Sequence, residues 1–250
     1  MKICILIPAY NSALTIGDVL RRIKLPSNND EILVLDDGSS DDTSKVAQKD
    51  SRVLLNRHST NQGFGAASIT LYNLAIQRGA DITINLHSDE AHFPEDIPSV
   101  IEPILSGKAD VVVGSRTMGI LLTSPKVLGS RKIGAAFLGS MPFHRFLGNL
   151  ALTSLQNFCY GTNFHSFHDG FRACTRFALD VVPYSQLTTW YQYDTEFLIA
   201  AHERGLHICE VPVKSFYSPH AKSSTPVIAY GLRVIWNGIT YCFTQRHKKD

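Results

Sequence analysis

Residues 31–42 read Glu-Ile-Leu-Val-Leu-Asp-Asp-Gly-Ser-Ser-Asp-Asp. The apolar run that ends at Leu35 is typical of a strand buried on both faces of a parallel sheet. Gly38 allows the tight turn that follows, and the pattern beyond it predicts a helix over Ser40–Asp50. A buried strand that ends in a polar turn and leads into a helix is the repeating unit of an α/β protein.

The same unit recurs along the first half of the chain. We predict strands at Ile3–Ile7, Glu31–Leu35, Val53–Leu55, Ile82–Leu86 and Asp110–Gly114. We predict helices from Asn11 or Ser12 to Lys24 and at Ser40–Asp50, Gly65–Arg78 and Pro94–Leu105. Short connections between alternating strands and helices favour a Rossmann-like α/β fold, with a mostly parallel central sheet and helices on both faces.

The second half is less regular. We predict helical structure at Ile133–Tyr160, Tyr193–Arg204 and Val227–Gln245, and a strand at His207–Val213. Pro142 leaves open whether the first of these segments is one helix or two. We predict loops at Met118–Ser130, His168–Arg172 and Tyr217–Pro226.

The composition narrows the class of protein. Hydrophobic residues make up 44% of the 250 residues and charged residues 18%, as in a globular domain. A formal net charge of +2 argues against a dedicated nucleic-acid-binding protein. The 5 cysteines form no C-x-x-C pair, so the sequence indicates neither a zinc ribbon nor a disulfide framework, and we expect a cytoplasmic location. No stretch reaches the roughly 18 apolar residues of a membrane-spanning helix.

Polar clusters follow four of the predicted strands at their carboxyl ends. They are Pro8–Asn11, Asp36–Asp41, His87–Asp89 and Gly114–Arg116. The carboxyl ends of parallel strands lie along one edge of the sheet, and ligands of open α/β sheets bind there. We therefore expect a single ligand site along this edge, which we call the rim.

The acidic residues after the second strand are suited to a nucleoside. The carboxylate of Asp36 or Asp37 can accept hydrogen bonds from a ribose hydroxyl or a base N–H. Asp41 and Asp42 are equally suited to capping the next helix.

His87 and Asp89 are candidate metal ligands. Carboxylates together with substrate phosphates bind Mg²⁺ or Mn²⁺, and an imidazole suits Mn²⁺ better than Mg²⁺. One alternative is a hydrolytic zinc site that also uses His165 and His168, although the spacing matches no zinc pattern. The other alternative is a polar loop without a metal.

Arg116 and the segment 168–172 complete the set of candidates. Arg116 can bind a diphosphate through its planar guanidinium, or it can form a surface salt bridge. Asp169 can accept a proton from an acceptor hydroxyl, or it can pair with Arg172. His168 is a second candidate for the base, and Arg172 is a second cation.

Taken in order, these segments resemble a family 2 glycosyltransferase with the GT-A fold. The resemblance rests on Ile7-Pro8-Ala9-Tyr10-Asn11, Val34-Leu35-Asp36-Asp37-Gly38-Ser39-Ser40-Asp41, Asn61-Gln62-Gly63, His87-Ser88-Asp89 with His92-Phe93-Pro94-Glu95-Asp96, Gly114-Ser115-Arg116, Asp169-Gly170-Phe171-Arg172-Ala173 and Glu210-Val211-Pro212-Val213. It covers roughly residues 3–224 and is strongest for the polyprenyl-phosphate sugar synthases and their soluble relatives. Those enzymes commonly have D-x-D where this chain has His87-Ser88-Asp89.

The resemblance implies an inverting, metal-assisted transfer of a sugar from a UDP- or GDP-sugar to a polyprenyl phosphate or a glycan hydroxyl. It implies a GT-A domain at 1–224, followed by an apolar helix and basic tail at 225–250. The implied nucleotide-sugar-binding residues are Pro8, Ala9, Tyr10, Asn11, Asp36, Asp37 and Ser88. The implied catalytic residues are Asp89, Arg116, Asp169 and Arg172, with Asp89 and His87 as ligands of Mg²⁺ or Mn²⁺.

Two other functions stay open at this stage. His87 in place of an acidic residue is compatible with a nucleotide-sugar-binding protein that has lost catalysis. A nucleotidyltransferase also uses a nucleotide-binding α/β sheet, but its Gly-rich, Arg-containing N-terminal loop is missing here. The final helix either lies on a membrane surface, consistent with a peripheral location, or packs on the catalytic domain or a second subunit.

Overall fold

The computed structural model describes residues 1–118, 143–214 and 227–246. Its centre is a seven-stranded sheet with the strand order β3-β2-β1-β4-β6-β5-β7. The strands are β1 Ile3–Ala9, β2 Glu31–Asp36, β3 Val53–Arg57, β4 Ile82–Asn85, β5 Val111–Ser115, β6 Arg172–Thr175 and β7 Ile208–Pro212. β6 runs antiparallel to both of its neighbours, and the other strand pairs are parallel.

Helices cover both faces of this sheet. They are α1 Ile16–Arg22, α2 Thr43–Ala47, α3 Phe64–Gln77, α4 Ile97–Leu105, α5 Phe143–Tyr160, α6 Arg176–Val181, α7 Tyr193–Glu203 and α8 Val227–Arg246. Single 3₁₀ turns occupy Pro94–Asp96 and Tyr184–Gln186. The mostly parallel α/β sheet predicted from the sequence is confirmed.

The central strand β1 shows why the sheet must be covered twice. All seven of its residues are buried. Ile3, Ile5 and Ile7 belong to the hydrophobic core that includes α1 and α4, whereas Cys4 and Leu6 belong to the core that includes α3 and α7. Because successive side chains of a strand point to opposite faces, a continuous apolar run requires helices above and below.

The strand β6 corrects the expectation that His168–Arg172 lies wholly on a loop. Arg172 begins the strand and is in register with Asn85 of β4 and Val113 of β5. Four residues are too few to show a clear strand pattern in the sequence. Because β6 is antiparallel, its first residue lies at the same edge of the sheet as the last residues of its neighbours, and the residues before Arg172 reach the rim.

The first helix also begins later than expected. The backbone of Ser12 accepts hydrogen bonds from the N–H groups of Thr15 and Ile16, at 3.0 and 2.9 Å, and α1 starts only at Ile16. Asn11 has a φ of 49°, which is incompatible with a helical turn at that point.

Several predicted segments lie wholly or partly outside the described residues. They are the loops at Met118–Ser130 and Tyr217–Pro226, the first part of Ile133–Tyr160 and the end of the basic tail. Phe143–Tyr160 is one continuous helix. In the part of the chain that the structure describes, no helix is long and apolar enough to cross a membrane.

Two helical glycines provide a matched test of the packing. A Cβ at Gly65, in the first turn of α3, would lie less than 3.0 Å from backbone atoms of Thr188 and Thr189. A Cβ at Gly148, in α5, would contact nothing within 4 Å. We expect Gly65→Ala to lower the free energy of unfolding by about 1–3 kcal/mol through overpacking, and Gly148→Ala to raise it by about 0.5–1 kcal/mol through helix propensity. Urea denaturation measures both, and equal effects would contradict the close approach of α3 to residues 188–189.

Candidate active site

Along the rim, hydrogen bonds connect the turns that follow β1, β2 and β4. The hydroxyl groups of Ser12 and Ser88 are 2.9 Å apart, and the hydroxyl of Thr15 donates to the backbone oxygen of Ser88 at 2.7 Å. The side-chain oxygen of Asn11 accepts from the backbone N–H of Ser40 at 2.9 Å. The structure therefore brings the predicted residues Asn11 and Ser88 to one edge, as part of its internal framework.

Asp36 lies beneath this edge and is completely buried. One carboxylate oxygen accepts a hydrogen bond from the backbone N–H of Ser39 at 2.8 Å, and the other accepts from the hydroxyl of Ser44. Arg57 forms an ion pair with it at 3.3 Å. These contacts indicate that Asp36 stabilises the turn on which Asp37 lies.

The Asp37 carboxylate holds the next loop in place. It accepts hydrogen bonds from the backbone N–H groups of Gln62 and Gly63, at 3.0 and 2.8 Å, and lies 2.6 Å from Nδ1 of His58. The backbone N–H of Asp37 donates to the oxygen of Ala9 at 2.8 Å, which joins β1 to this loop. Asp37 thus organises the part of the rim formed by the turn after β2 and the loop at Gln62 and Gly63.

The remaining predicted residues, at the end of β1 and just after it, differ in exposure. Pro8 and Ala9 are buried at the end of the strand. The side chain of Tyr10 is 43% exposed and is available to a planar ligand.

His87 and Asp89 form a partly exposed pair at the end of β4. Nδ1 of His87 lies 4.0 Å from the carboxylate of Asp89, and the two side chains are 27% and 44% exposed. The backbone N–H of Ala91 donates to Asp89 at 3.0 Å, and Glu90 has a φ of 64°, so a strained turn fixes the carboxylate. An imidazole nitrogen and a carboxylate oxygen are donor types that Mn²⁺ accepts, and both side chains are exposed enough to reach a ligand.

Within residues 1–118, 143–214 and 227–246, no metal site made of protein ligands alone accompanies this pair. Among the residues that the structure describes, no three His, Cys, Asp or Glu side chains cluster closely enough to hold an ion. His165 instead pairs with Glu210, at 2.9 Å, so the hydrolytic zinc site considered above does not form. A pair of protein ligands is sufficient for a cation that is also bound by substrate phosphates.

Arg116 and Asp169 form a largely buried ion pair beside the metal candidates. Nε of Arg116 donates to the carboxylate of Asp169, and the backbone N–H of Arg116 donates to the same group at 3.2 Å. The two side chains are 14% and 1% exposed. This geometry indicates that Asp169 pairs with Arg116 and not with Arg172. The pairing favours a role for Asp169 in orienting Arg116 toward the rim.

Arg172 lies below the rim and pairs with Asp194 of α7. Its side chain is completely buried; one terminal nitrogen donates to the backbone oxygen of Asp194 at 2.8 Å, and the other lies 3.5 Å from its carboxylate. The guanidinium is 4.8 Å from the ring centre of Phe197. Burial raises the pKa of Asp194, while Arg172 and His87 oppose that shift. In this structure Arg172 supports the site from beneath.

Two contacts of the site escaped the sequence reasoning. Asp194 is an acid on the buried face of α7, in the same stripe as Leu198 and Ala201, and an acid at such a position signals a specific partner. Glu210 of β7 accepts hydrogen bonds from the backbone N–H groups of His165 and Ser166, which anchors the segment that leads to Asp169. Glu210 belongs to one of the motifs quoted above, but its contacts were not predicted, because its partners are 44 and 45 residues away in the sequence.

The mostly parallel sheet with polar side chains at the carboxyl ends of its strands is the arrangement of an α/β protein that binds its ligand at this edge. Residues 4–182 match the model of the family Glycosyl transferase family 2. The chain belongs to this family.

Relatives of similar length carry more specific names. A UDP-N-acetylglucosamine–dolichyl-phosphate N-acetylglucosaminyltransferase of Methanococcus voltae is 29% identical, and the alignment covers 94% of this chain and 93% of that protein. An undecaprenyl-phosphate mannosyltransferase of Micrococcus luteus is 28% identical over 85% of this chain and 83% of its own length. The resemblance to polyprenyl-phosphate sugar synthases is confirmed.

Solved structures show the same fold. Glucosyl-3-phosphoglycerate synthase from Mycobacterium tuberculosis, in complex with Mn²⁺, UDP and phosphoglyceric acid, aligns with a TM-score of 0.65 and 22% identity. The alignment covers 96% of this chain and 78% of that one. The GT-A fold predicted from the sequence is confirmed.

The histidine beside Asp169 gives the site a measurable pH dependence. Burial, reinforced by Arg116 and opposed by Asp169, lowers the pKa of His168 from 6.5 to about 4. The unfolded chain therefore binds a proton that the folded protein excludes, and stability present above pH 6.5 is lost as the pH falls toward 4. We expect the free energy of unfolding to fall by about 1–2 kcal/mol between pH 7.5 and 5 from this group. His168→Gln should reduce that fall, as measured by urea denaturation at each pH, and an unchanged slope in the variant would contradict the assignment.

Proposed function

We propose that the protein transfers a sugar from a nucleoside-diphosphate sugar to a polyprenyl phosphate, with the aid of a divalent cation. The named relatives that match over most of their length act on dolichyl phosphate or undecaprenyl phosphate. The proposal rests on the ion pair between Asp169 and Arg116, which occupies the carboxylate that was the candidate base. A sugar hydroxyl needs a base to remove its proton, whereas a phosphate acceptor is already an anion and needs none.

The rim supplies a place for each part of the donor. The exposed ring of Tyr10 and the loop ordered by Asp37 suit the nucleoside. Arg116, held by Asp169, provides positive charge for the diphosphate. His87 and Asp89 would hold the cation, which when bound neutralises charge that develops on the leaving diphosphate.

The reaction is a single displacement. An oxygen of the acceptor phosphate forms a bond to the anomeric carbon while the bond from that carbon to the diphosphate oxygen breaks. Attack from the face opposite the leaving group inverts the anomeric configuration, and the nucleoside diphosphate departs. Positive charge fixed by Asp169 before the reaction contributes most, because it needs no rearrangement as the transition state forms.

The acceptor is tested by pairing a short-chain polyprenyl phosphate with the matching polyprenol. We expect the protein, given Mn²⁺ and a panel of UDP- and GDP-sugars, to release nucleoside diphosphate and form a glycolipid with the phosphate only. The readouts are coupled detection of nucleoside diphosphate and mass spectrometry of the lipid.

Other results of the same assay contradict the proposal. Transfer to the polyprenol or to a glycan hydroxyl would indicate a base-assisted transferase. Exchange of pyrophosphate would indicate a nucleotidyltransferase, and tight donor binding without turnover would indicate a binding protein that has lost catalysis.

The helices α5 and α8 suit an enzyme whose acceptor resides in a bilayer. They pack together, with the rings of Tyr160 and Tyr241 4.7 Å apart. Each also presents large apolar side chains to solvent at helical spacing: Leu147, Leu150 and Phe158 on α5, and Leu232, Trp236 and Ile239 on α8. Arg246, Lys248 and Lys249 follow in the sequence. Apolar stripes next to basic residues are typical of helices that lie on anionic membrane surfaces, so we propose this contact as part of the function.

Fluorescence tests the membrane contact, because the chain has 2 tryptophans. In a Trp190→Phe variant, only Trp236 reports, and its side chain is 67% exposed. We expect its emission to shift to the blue on addition of vesicles that contain phosphatidylglycerol, with a weaker shift for phosphatidylcholine alone. In the otherwise unchanged chain, Trp236→Ser should weaken vesicle binding about tenfold. Phe177→Ser, at an exposed position of α6, is the matched control, and equal losses in both variants would argue against this face.

A further inference from the structure

Gly170 lies against both His87 and a buried acid, Asp194. A Cβ at Gly170 would lie less than 3.0 Å from Nε2 of His87 and from Oδ2 of Asp194. Both atoms therefore lie close to the position that a Cβ of residue 170 would take, and this approach is possible because residue 170 is a glycine. Nε2 of His87 is buried and has no hydrogen-bond partner within the described residues.

Asp194 is fixed on its other side. Arg172 binds its backbone oxygen and lies 3.5 Å from Oδ1, so the carboxylate keeps its position at the start of α7. At 7% exposure, Asp194 has little contact with solvent. A buried carboxylate with an oxygen near a buried imidazole nitrogen is a strong acceptor for that N–H.

The ring of His87 is held by neighbouring rings. Its centre lies 5.6 Å from that of Phe64 and 5.2 Å from that of His92, both in edge-to-face geometry. The opposite nitrogen, Nδ1, faces Asp89 at 4.0 Å. The imidazole thus has one nitrogen toward the rim and the other toward Asp194.

We propose that Asp194 is a positioning residue for His87, keeping the imidazole proton on Nε2 so that Nδ1 is free to bind the divalent cation together with Asp89. A histidine that binds a metal commonly donates its second N–H to a carboxylate, which fixes the ring and makes the ligand more basic. This inference rests on the metal-assisted function proposed above. Gly170 is the second requirement, because any larger residue would displace Nε2.

The test measures the gain in UDP affinity that Mn²⁺ produces, by isothermal titration of UDP with and without the metal. We expect Asp194→Asn to reduce that gain at least about tenfold, the range found for such supporting carboxylates. The affinity for UDP without metal should not change, since Asp194 does not reach the nucleoside side of the rim. Asp30→Asn, a buried acid that binds the backbone N–H groups of Ile3 and Ser27, is the matched control and should leave the gain intact.

Gly170→Ala provides a second variant that keeps the Arg172–Asp194 pair. We expect the same loss of the metal-dependent gain, because the added methyl displaces His87. Both losses should shrink to less than about threefold in a His87→Asp background, where the shorter side chain has no atom at the position of Nε2.

The outcomes separate this inference from the proposed function. A wild-type protein without any metal-dependent gain would overturn the metal assignment, and this inference with it. A wild-type gain that persists in Asp194→Asn would overturn the inference alone. An equal loss in the His87→Asp background would also overturn it, because the effect would then be independent of the imidazole.

Discussion

The pairing of β6 with both β4 and β5 is the constraint on which the rest of the site depends. The strand is only four residues long, yet it runs against its neighbours and is completely buried at Arg172. The backbone N–H of Gly114 donates to the oxygen of Phe171 at 2.8 Å, so the pairing continues one step beyond the strand. A parallel strand here would place residues 168–170 at the opposite edge of the sheet. Its reversal places Asp169 beside Arg116 and Gly170 beside His87.

Two buried ion pairs follow from that reversal, and they lie at different depths of the site. Arg116 with Asp169 lies at the rim, whereas Arg172 with Asp194 lies beneath it. Burying a charge costs several kcal/mol, and a partner offsets that cost without guaranteeing net stabilisation. The contribution of these two pairs is to fix the positions of the side chains that form them. Each carboxylate holds one side chain in place, so the rim has a fixed charge pattern before any ligand arrives.

Much of this could be predicted from the sequence, for identifiable reasons. The strands of the first half were recognisable because each is a continuous apolar run, and their polar ends predicted the edge of the sheet along which Asp37, Asp89 and Arg116 follow β2, β4 and β5. β6 was not recognisable, because four residues carry no period. The partners of the acids could not be predicted either. Asp37 resembles a ligand-binding residue in the sequence, yet its carboxylate binds His58 and two backbone N–H groups more than 20 residues away. Such pairings depend on tertiary contact, which no local pattern records.

The close approach of His87 to Gly170 also bears on how such a site can evolve. Replacing His87 by a shorter acid removes the atom nearest to the Cβ position of residue 170, and that residue is then able to acquire a side chain. Once it has done so, a return to histidine is blocked until the glycine is restored. The order of substitutions therefore matters, because the later change at residue 170 prevents reversal of the earlier change at residue 87. Among descendants of a common ancestor, positions 87, 170 and 194 should change as a group and not one by one.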